Sequence, residues 1–289
     1  MKEVEPEEKQ SSAHLQDFVM TPILFPGEMV QYERESEKRL CDPELIKWVR
    51  EVLSQRIVGE DDTKTLLFLI ALSYKTDDPQ SCILSGPPST GKSHLCKNVL
   101  RLMPNVINVS RMTPAFLDRI GCDLTHYILY VSELGGAEQS LPILRVMLSE
   151  GELVLGTTER NEKGKIETMV IETKGFPVYI TTTHQEIIER QLASRTWLLS
   201  VDTSEGQTRQ ILRFQALRAR TSSLPEYTQE EMVLRTLVYM LKPYKVVIPY
   251  TEKLAELFPA KEEQARRDFN RLLSLIKTIT LLFQRQRLP

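Results

Sequence analysis

The 289-residue sequence predicts an α/β fold in three layers, with helices on both faces of a parallel sheet. Three observations carry that expectation. Short β-rich apolar runs alternate with helical patterns between residues 81 and 201. One of those runs, Cys82-Ile83-Leu84-Ser85, leads directly into a turn rich in Gly and Pro and then into a helix. After Asp202 the pattern becomes mostly helical. A β-hairpin insertion and a C-terminal α-helical lid complete the predicted architecture.

In chain order, residues 1–20 read as a loose acidic and polar arm. A helix is predicted over 42–56, where Asp42 can cap, Pro43 suits the first turn, and Leu45, Ile46, Val49 and Leu53 share a face. A second helix is predicted over 61–74. Strands are expected at 81–85, 106–109, 127–131, 178–182 and 196–201, with a helix in the polar segment 183–194. Helices follow at 205–218, at 229–241 with Thr228 as its cap, and at 250–257. A long amphipathic helix runs from about 261 to 284. This divides the chain into an N-terminal arm and helix (1–56), an α/β core (57–203) and a helical lid (204–289).

Composition narrows the function classes. The chain is 41% hydrophobic and 26% charged with a net charge of −2, so any nucleic-acid contact must come from a local cluster of Lys and Arg. No apolar run is long enough to cross a bilayer, and the Glu-rich start does not resemble a signal peptide. Cys41, Cys82, Cys96 and Cys122 are far apart and His14, His94, His126 and His184 lack metal spacing, which predicts free thiols in a reducing cytoplasm.

Gly86-Pro87-Pro88-Ser89-Thr90-Gly91-Lys92-Ser93 matches GxxxxGK[ST] and lies between a buried strand and a helix, the context a P-loop requires. Its glycines let backbone N–H groups face phosphates, and the helix N-terminus adds the positive end of a dipole. Lys92 would reach the β- and γ-phosphates of ATP, and the Ser93 hydroxyl would ligate Mg²⁺. Such sites also need an acidic residue at the end of a neighbouring strand. The strand at 127–131 ends in Ser132-Glu133 where the usual pair is Asp-Glu. Glu133 is therefore the candidate general base, with capping of the next loop as its alternative role. Ser132 offers a hydroxyl without the charge that Asp would bring to Mg²⁺.

Over roughly residues 57–287 the order of these elements resembles AAA+ ATPases, and within them MCM-like replicative helicases and the helicase-like ATPases of phages, plasmids and integrative elements. The resemblance implies further roles. Arg56-Ile57-Val58-Gly59-Glu60 would pack against adenine. The segment 152–174, patterned as a β-hairpin with its turn at Asn161-Glu162-Lys163-Gly164, would contact DNA through Lys163 or Lys165 near its tip. Val178-Tyr179-Ile180-Thr181-Thr182-Thr183-His184 is similar to the sensor 1 strand, with His184, or Thr183 beside it, where the family has Asn. Leu192-Ala193-Ser194-Arg195-Thr196-Trp197 resembles the stretch that carries the arginine finger, which implies that Arg195 is that finger and that the chain forms a ring such as a hexamer. Arg267 would be sensor 2, with Arg266 and Arg271 as alternates.

The leading expectation is an ATP-driven DNA motor in replication, working on single-stranded or duplex DNA with a primase or initiator as a possible partner. An AAA+ remodeller or loader acting on a protein is the second, although Met112-Thr113-Pro114-Ala115-Phe116 lacks an aromatic-Gly pore motif. A non-hydrolysing, nucleotide-gated scaffold is the third, and Ser132 is its support.

Overall fold

The computed structural model describes residues 26–110, 112–113, 116, 120–134, 140–160, 166–185, 188–220 and 224–287. Three helices come first: α1 (Pro26–Leu40), α2 (Leu45–Ser54) and α3 (Asp61–Leu72). Then follow β1 (Cys82–Ser85), α4 (Lys92–Leu100), β2 (Val106–Val109), β3 (Ile128–Val131) and α5 (Leu141–Glu150). A hairpin of β4 (Glu152–Arg160) and β5 (Ile166–Lys174) precedes β6 (Val178–Thr183), the short α6 (Arg190–Ala193) and β7 (Trp197–Ser200). The remainder is helical: α7 (Glu205–Arg220), α8 (Gln229–Met240), α9 (Thr251–Leu257) and α10 (Ala265–Leu282).

The five short strands pair in parallel in the order β2-β3-β6-β1-β7. Central strands buried on both faces need no alternation, which is why β1 and β3 read as apolar runs. The alternation survives in what each face touches. Cys82, Leu84, Ile128, Tyr130, Val178 and Ile180 join the core formed with α2, α3, α4 and α8. Ile83, Leu129, Val131 and Tyr179 join a second core with Leu144 and Met147 of α5 and Leu192 of α6. The predicted three layers are therefore present, with a separate core on each side of the sheet.

Local chemistry explains several boundaries. Asp42 does not cap α2 directly; its Oδ1 accepts the Glu44 N–H (2.9 Å) and the helix begins at Leu45. Thr228 caps α8 in a reciprocal capping box with Glu231, as its sequence predicts. Helix α1 falls where the sequence reading placed no element. It packs on α8, and its buried Ser36 Oγ donates to the Val233 carbonyl at 2.9 Å. The long C-terminal helix is shorter than expected, and it packs on α3 with Ser274 Oγ donating to the carbonyl of Asp78, just ahead of β1.

The hairpin arms are nine residues each and pair from Glu152–Lys174 to Arg160–Ile166. At about 3.4 Å per residue each arm extends roughly 27 Å. Its base is fixed to the core: Gly175 N–H donates to the Gly151 carbonyl (2.8 Å), and Leu124 N–H to the Lys174 carbonyl (2.7 Å). Gly151 ends α5 in the left-handed region (φ 67°), and a Cβ there would run into the Phe176 ring. Among the described residues, no helix is long and apolar enough to cross a membrane. All four cysteines are free thiols.

Candidate functional site

The loop after β1 has the backbone that its glycines permit. Gly91 sits at φ 87° as the N-cap of α4, a conformation that costs an L-residue about 1–2 kcal/mol. Gly86 leaves room for Val201: a Cβ there would lie 3.1 Å from its Cγ2. No side chain caps the α4 N-terminus. The first-turn N–H groups therefore face the loop, as an anion site needs. Lys92 is only 8% exposed and folds back over the loop, with its Nζ donating to the carbonyls of Gly86 (2.7 Å) and Pro87 (2.6 Å). Burial lowers the Lys92 pKa, and the nearby Glu133 carboxylate opposes that shift. Ser93, in the next position, is exposed.

The strand register brings a second group to this edge. Ser85 lies opposite Thr183, so β1 and β6 end level; Val131 lies opposite Thr181, so β3 ends two residues earlier and Glu133 follows it towards that level, with β6 between the other two strands. Glu133 and His184 leave those ends side by side, His184 Nδ1 lying 2.8 Å from Glu133 Oε1 with both side chains half-exposed. Two bonds lock the strand ends: Thr182 Oγ1 donates to the Ser132 carbonyl (2.6 Å), and Leu134 N–H to the Thr182 carbonyl (2.8 Å). Open α/β sheets bind ligands just outside the carboxyl ends of their strands, where strand order reverses. The loop, Glu133 and His184 all occupy that edge.

A cavity of about 810 Å³ opens beside the loop, within the usual range for small-molecule pockets. Ile57, Val58, Gly91 and His94 line one side, and α7 forms the other with Ile211 and Phe214. Gln207 Nε2 donates to the Val58 carbonyl at 2.7 Å and joins the two walls. His94 Nε2 lies 3.0 Å from the carbonyl of Arg56. The Arg56 side chain in turn bonds Glu231 (Nη2–Oε2 2.7 Å), which ties this wall to α8.

Residues 32–242 match the family described as the MTBMA_p00010 P-loop domain. The chain belongs to that family. A P-loop domain is a nucleotide-binding fold, and the nucleotide is generally bound with Mg²⁺. No curated protein matches the chain. The sequence-derived candidates fall into two groups. Lys92, Ser93, Glu133 and His184 gather at the carboxyl edge of the sheet, along with the rest of the loop: Gly86, Pro87, Pro88, Ser89, Thr90 and Gly91.

Arg195 and Arg267 stand elsewhere. Trp197 pairs with Cys82 at the opposite end of β1, and Arg195 lies just before it. Arg195 Nε donates to Ser149 Oγ (2.7 Å), and burial together with Arg267 and Arg145 lowers its pKa. Arg267 donates to Ser194 Oγ, and Arg271 to the Ala193 carbonyl (3.1 Å). Arg267 therefore joins Arg195 and does not line the cavity beside its own P-loop, because α10 packs at the amino ends of the strands. Lys163 and Lys165 lie outside the described residues.

Two features escaped the sequence reading. The cavity wall on α7 shows as Gln207, Ile211, Phe214 and Arg218 at helical spacing, a signal that was there to read. The other is Tyr130, which reads as core but has a buried hydroxyl without a hydrogen-bond partner. Leaving such a group unsatisfied costs about 1–3 kcal/mol. The oxygens here suit Mg²⁺, a hard cation that keeps several waters. Ser93 would offer a hydroxyl for direct ligation, Ser132 brings a second uncharged hydroxyl just after β3, and Glu133 would supply the carboxylate.

Proposed function

We propose that this P-loop domain binds ATP with Mg²⁺ and hydrolyses it as an AAA+ subunit of the MCM-like type, working in a ring as a DNA motor in replication. The observation that carries the reading is the convergence of Lys92, Glu133 and His184 at one edge, with β6 inserted between the P-loop strand and the acidic strand. In this reading Lys92 leaves the Gly86 and Pro87 carbonyls for the phosphates. Glu133 takes the proton of the attacking water, and His184 orients that carboxylate through Nδ1. Bound Mg²⁺ would neutralise charge on the phosphates. The cavity walled by α7 would take the adenosine.

The turning of Arg195 away from its own P-loop supports a finger that serves a neighbouring copy, and Arg267 beside it would share that neighbour's phosphate. The long hairpin supports a DNA-contacting arm, with Lys163 and Lys165 at its tip neutralising phosphates. Steady-state ATP hydrolysis with Mg²⁺, measured with and without single-stranded DNA, tests the reading. Stimulation by DNA is expected. Hydrolysis that ignores DNA would move the assignment to a remodeller or loader of a partner protein. A second reading, a nucleotide-gated scaffold that does not hydrolyse, is favoured by Ser132 alone, and bound but unhydrolysed ATP would establish it.

A further inference from the structure

The buried hydroxyl of Tyr130 faces the phosphate-binding helix. Tyr130 and Ser132 are two residues apart at the end of β3, so their side chains leave the same face of the sheet. Tyr130 packs in the core cluster that contains Leu95 and Cys96 of α4, the helix whose first turn carries Ser93. The ring is fully buried, and the hydroxyl makes no hydrogen bond of normal geometry. Burial and Cys96 raise its pKa, while the hydroxyls of Ser132 and Ser93 are close enough to oppose that rise. Tyr179 also has an unpartnered buried hydroxyl, but it belongs to the other core, on the face away from α4.

We propose that Tyr130 is a positioning residue for the divalent cation, acting through Ser132 and Ser93 as part of an uncharged hydroxyl set where an aspartate is usual. This rests on the reading of the loop as a nucleotide site that takes a metal. A carboxylate at position 132 would hold metal-bound water by charge; Ser132 can only hydrogen-bond it and needs its own hydroxyl oriented. The Tyr130 phenol is the group at hand to do that, by donating to Ser132 or Ser93. In this proposal the bond tightens when the metal–nucleotide complex orients the Ser132 and Ser93 hydroxyls. The phenol thus links satisfaction of a buried donor to metal binding rather than to folding.

Equilibrium titration with a fluorescent methylanthraniloyl ATP, in EDTA and in excess Mg²⁺, tests the proposal in the full chain, alongside thermal unfolding. Tyr130→Phe should match the wild type in EDTA and lose about 5-fold of the affinity gained with Mg²⁺, the size of one neutral hydrogen bond. Its melting temperature should be unchanged or higher, since an unpartnered hydroxyl has been removed. Ser132→Ala should lose a similar share of the Mg²⁺ gain. A full Mg²⁺ gain in Tyr130→Phe would overturn the proposal, as would a lowered melting temperature with affinity lost equally in EDTA and Mg²⁺, which marks a purely structural tyrosine. If the wild type binds no nucleotide in either condition, the nucleotide reading fails and takes this proposal with it; normal wild-type binding with an indifferent Tyr130→Phe sinks the proposal alone.

Discussion

Glu231→Ala removes the carboxylate that joins α8 to the wall of the cavity beside the 86–93 loop. Glu231 is 2% exposed and accepts from Arg56 Nη2 (2.7 Å) and from the Thr228 N–H (2.8 Å), with Arg101 nearby at 3.9 Å. Breaking a buried ion pair from one side costs about 3–5 kcal/mol, because the remaining charge keeps its desolvation cost. Arg56 retains the carbonyls of Pro225 (2.9 Å) and Glu226 (3.0 Å), which puts the expected loss at the lower end, about 3 kcal/mol. At roughly 2–4 °C per kcal/mol for a chain somewhat smaller than this one, the melting temperature should fall by about 6–12 °C. Burial alone would raise the Glu231 pKa; the bond from Arg56, the Thr228 N–H and the charges of Arg56 and Arg101 outweigh it and hold the pKa below its usual value. A carboxyl depressed in the folded state contributes stability above its unfolded pKa, and that contribution is lost as pH falls through the folded value. The gap between wild type and Glu231→Ala should therefore be full at pH 7 and narrow below about pH 4. Thermal unfolding across that range measures both. A fall under 2 °C at pH 7, or a gap that widens in acid, would refute the reasoning.

Three other expectations follow from the site. Glu133→Gln should lower ATP turnover by about 10²–10⁴-fold while leaving nucleotide affinity nearly intact, because a general base acts on the water and not on the phosphates. Arg195→Ala should leave nucleotide binding unchanged but cut turnover by about 10³-fold or more in the assembled protein, and mixing with Lys92→Ala subunits should restore part of it if the finger acts between copies. Phe214→Ala should weaken nucleotide binding without lowering turnover at saturation, since the ring lines the cavity away from Glu133; titration and saturating kinetics separate the two effects.

The parallel sheet was legible because its central strands are buried on both faces, which leaves unbroken apolar runs such as Ile128–Val131. The loop was legible because its glycines, lysine and serine act locally, on the backbone beside them. Helix α1 was not, since few of its residues are apolar and what anchors it, Met29, Leu40 and the Ser36 bond to Val233, depends on α8 nearly 200 residues away. Arg267 illustrates the same limit. Its helix reads as a lid in the linear order, but Ser274 and Lys277 tie that helix to Asp78 at the amino end of β1, a contact no local pattern encodes. The Glu133–His184 pair needed the register of β3 and β6: Val131 lies opposite Thr181, so Glu133, two residues on, comes beside the end of β6 and His184. Tyr130 could have been flagged from parity with Ser132, but a Tyr in an apolar strand reads as packing.

Nucleotide affinity in Lys92→Ala decides whether the phosphates sit in the loop after β1. The loop at residues 86–93 is the proposed phosphate cradle, and Lys92 is its only charged side chain. Hydrogen bonds to charged groups contribute about 1.5–3 kcal/mol, so titration with fluorescent ATP should show affinity reduced by roughly 10- to 150-fold, with the fold intact by circular dichroism. Equal affinity in wild type and Lys92→Ala would contradict the account, because the phosphates would then be bound somewhere other than this loop.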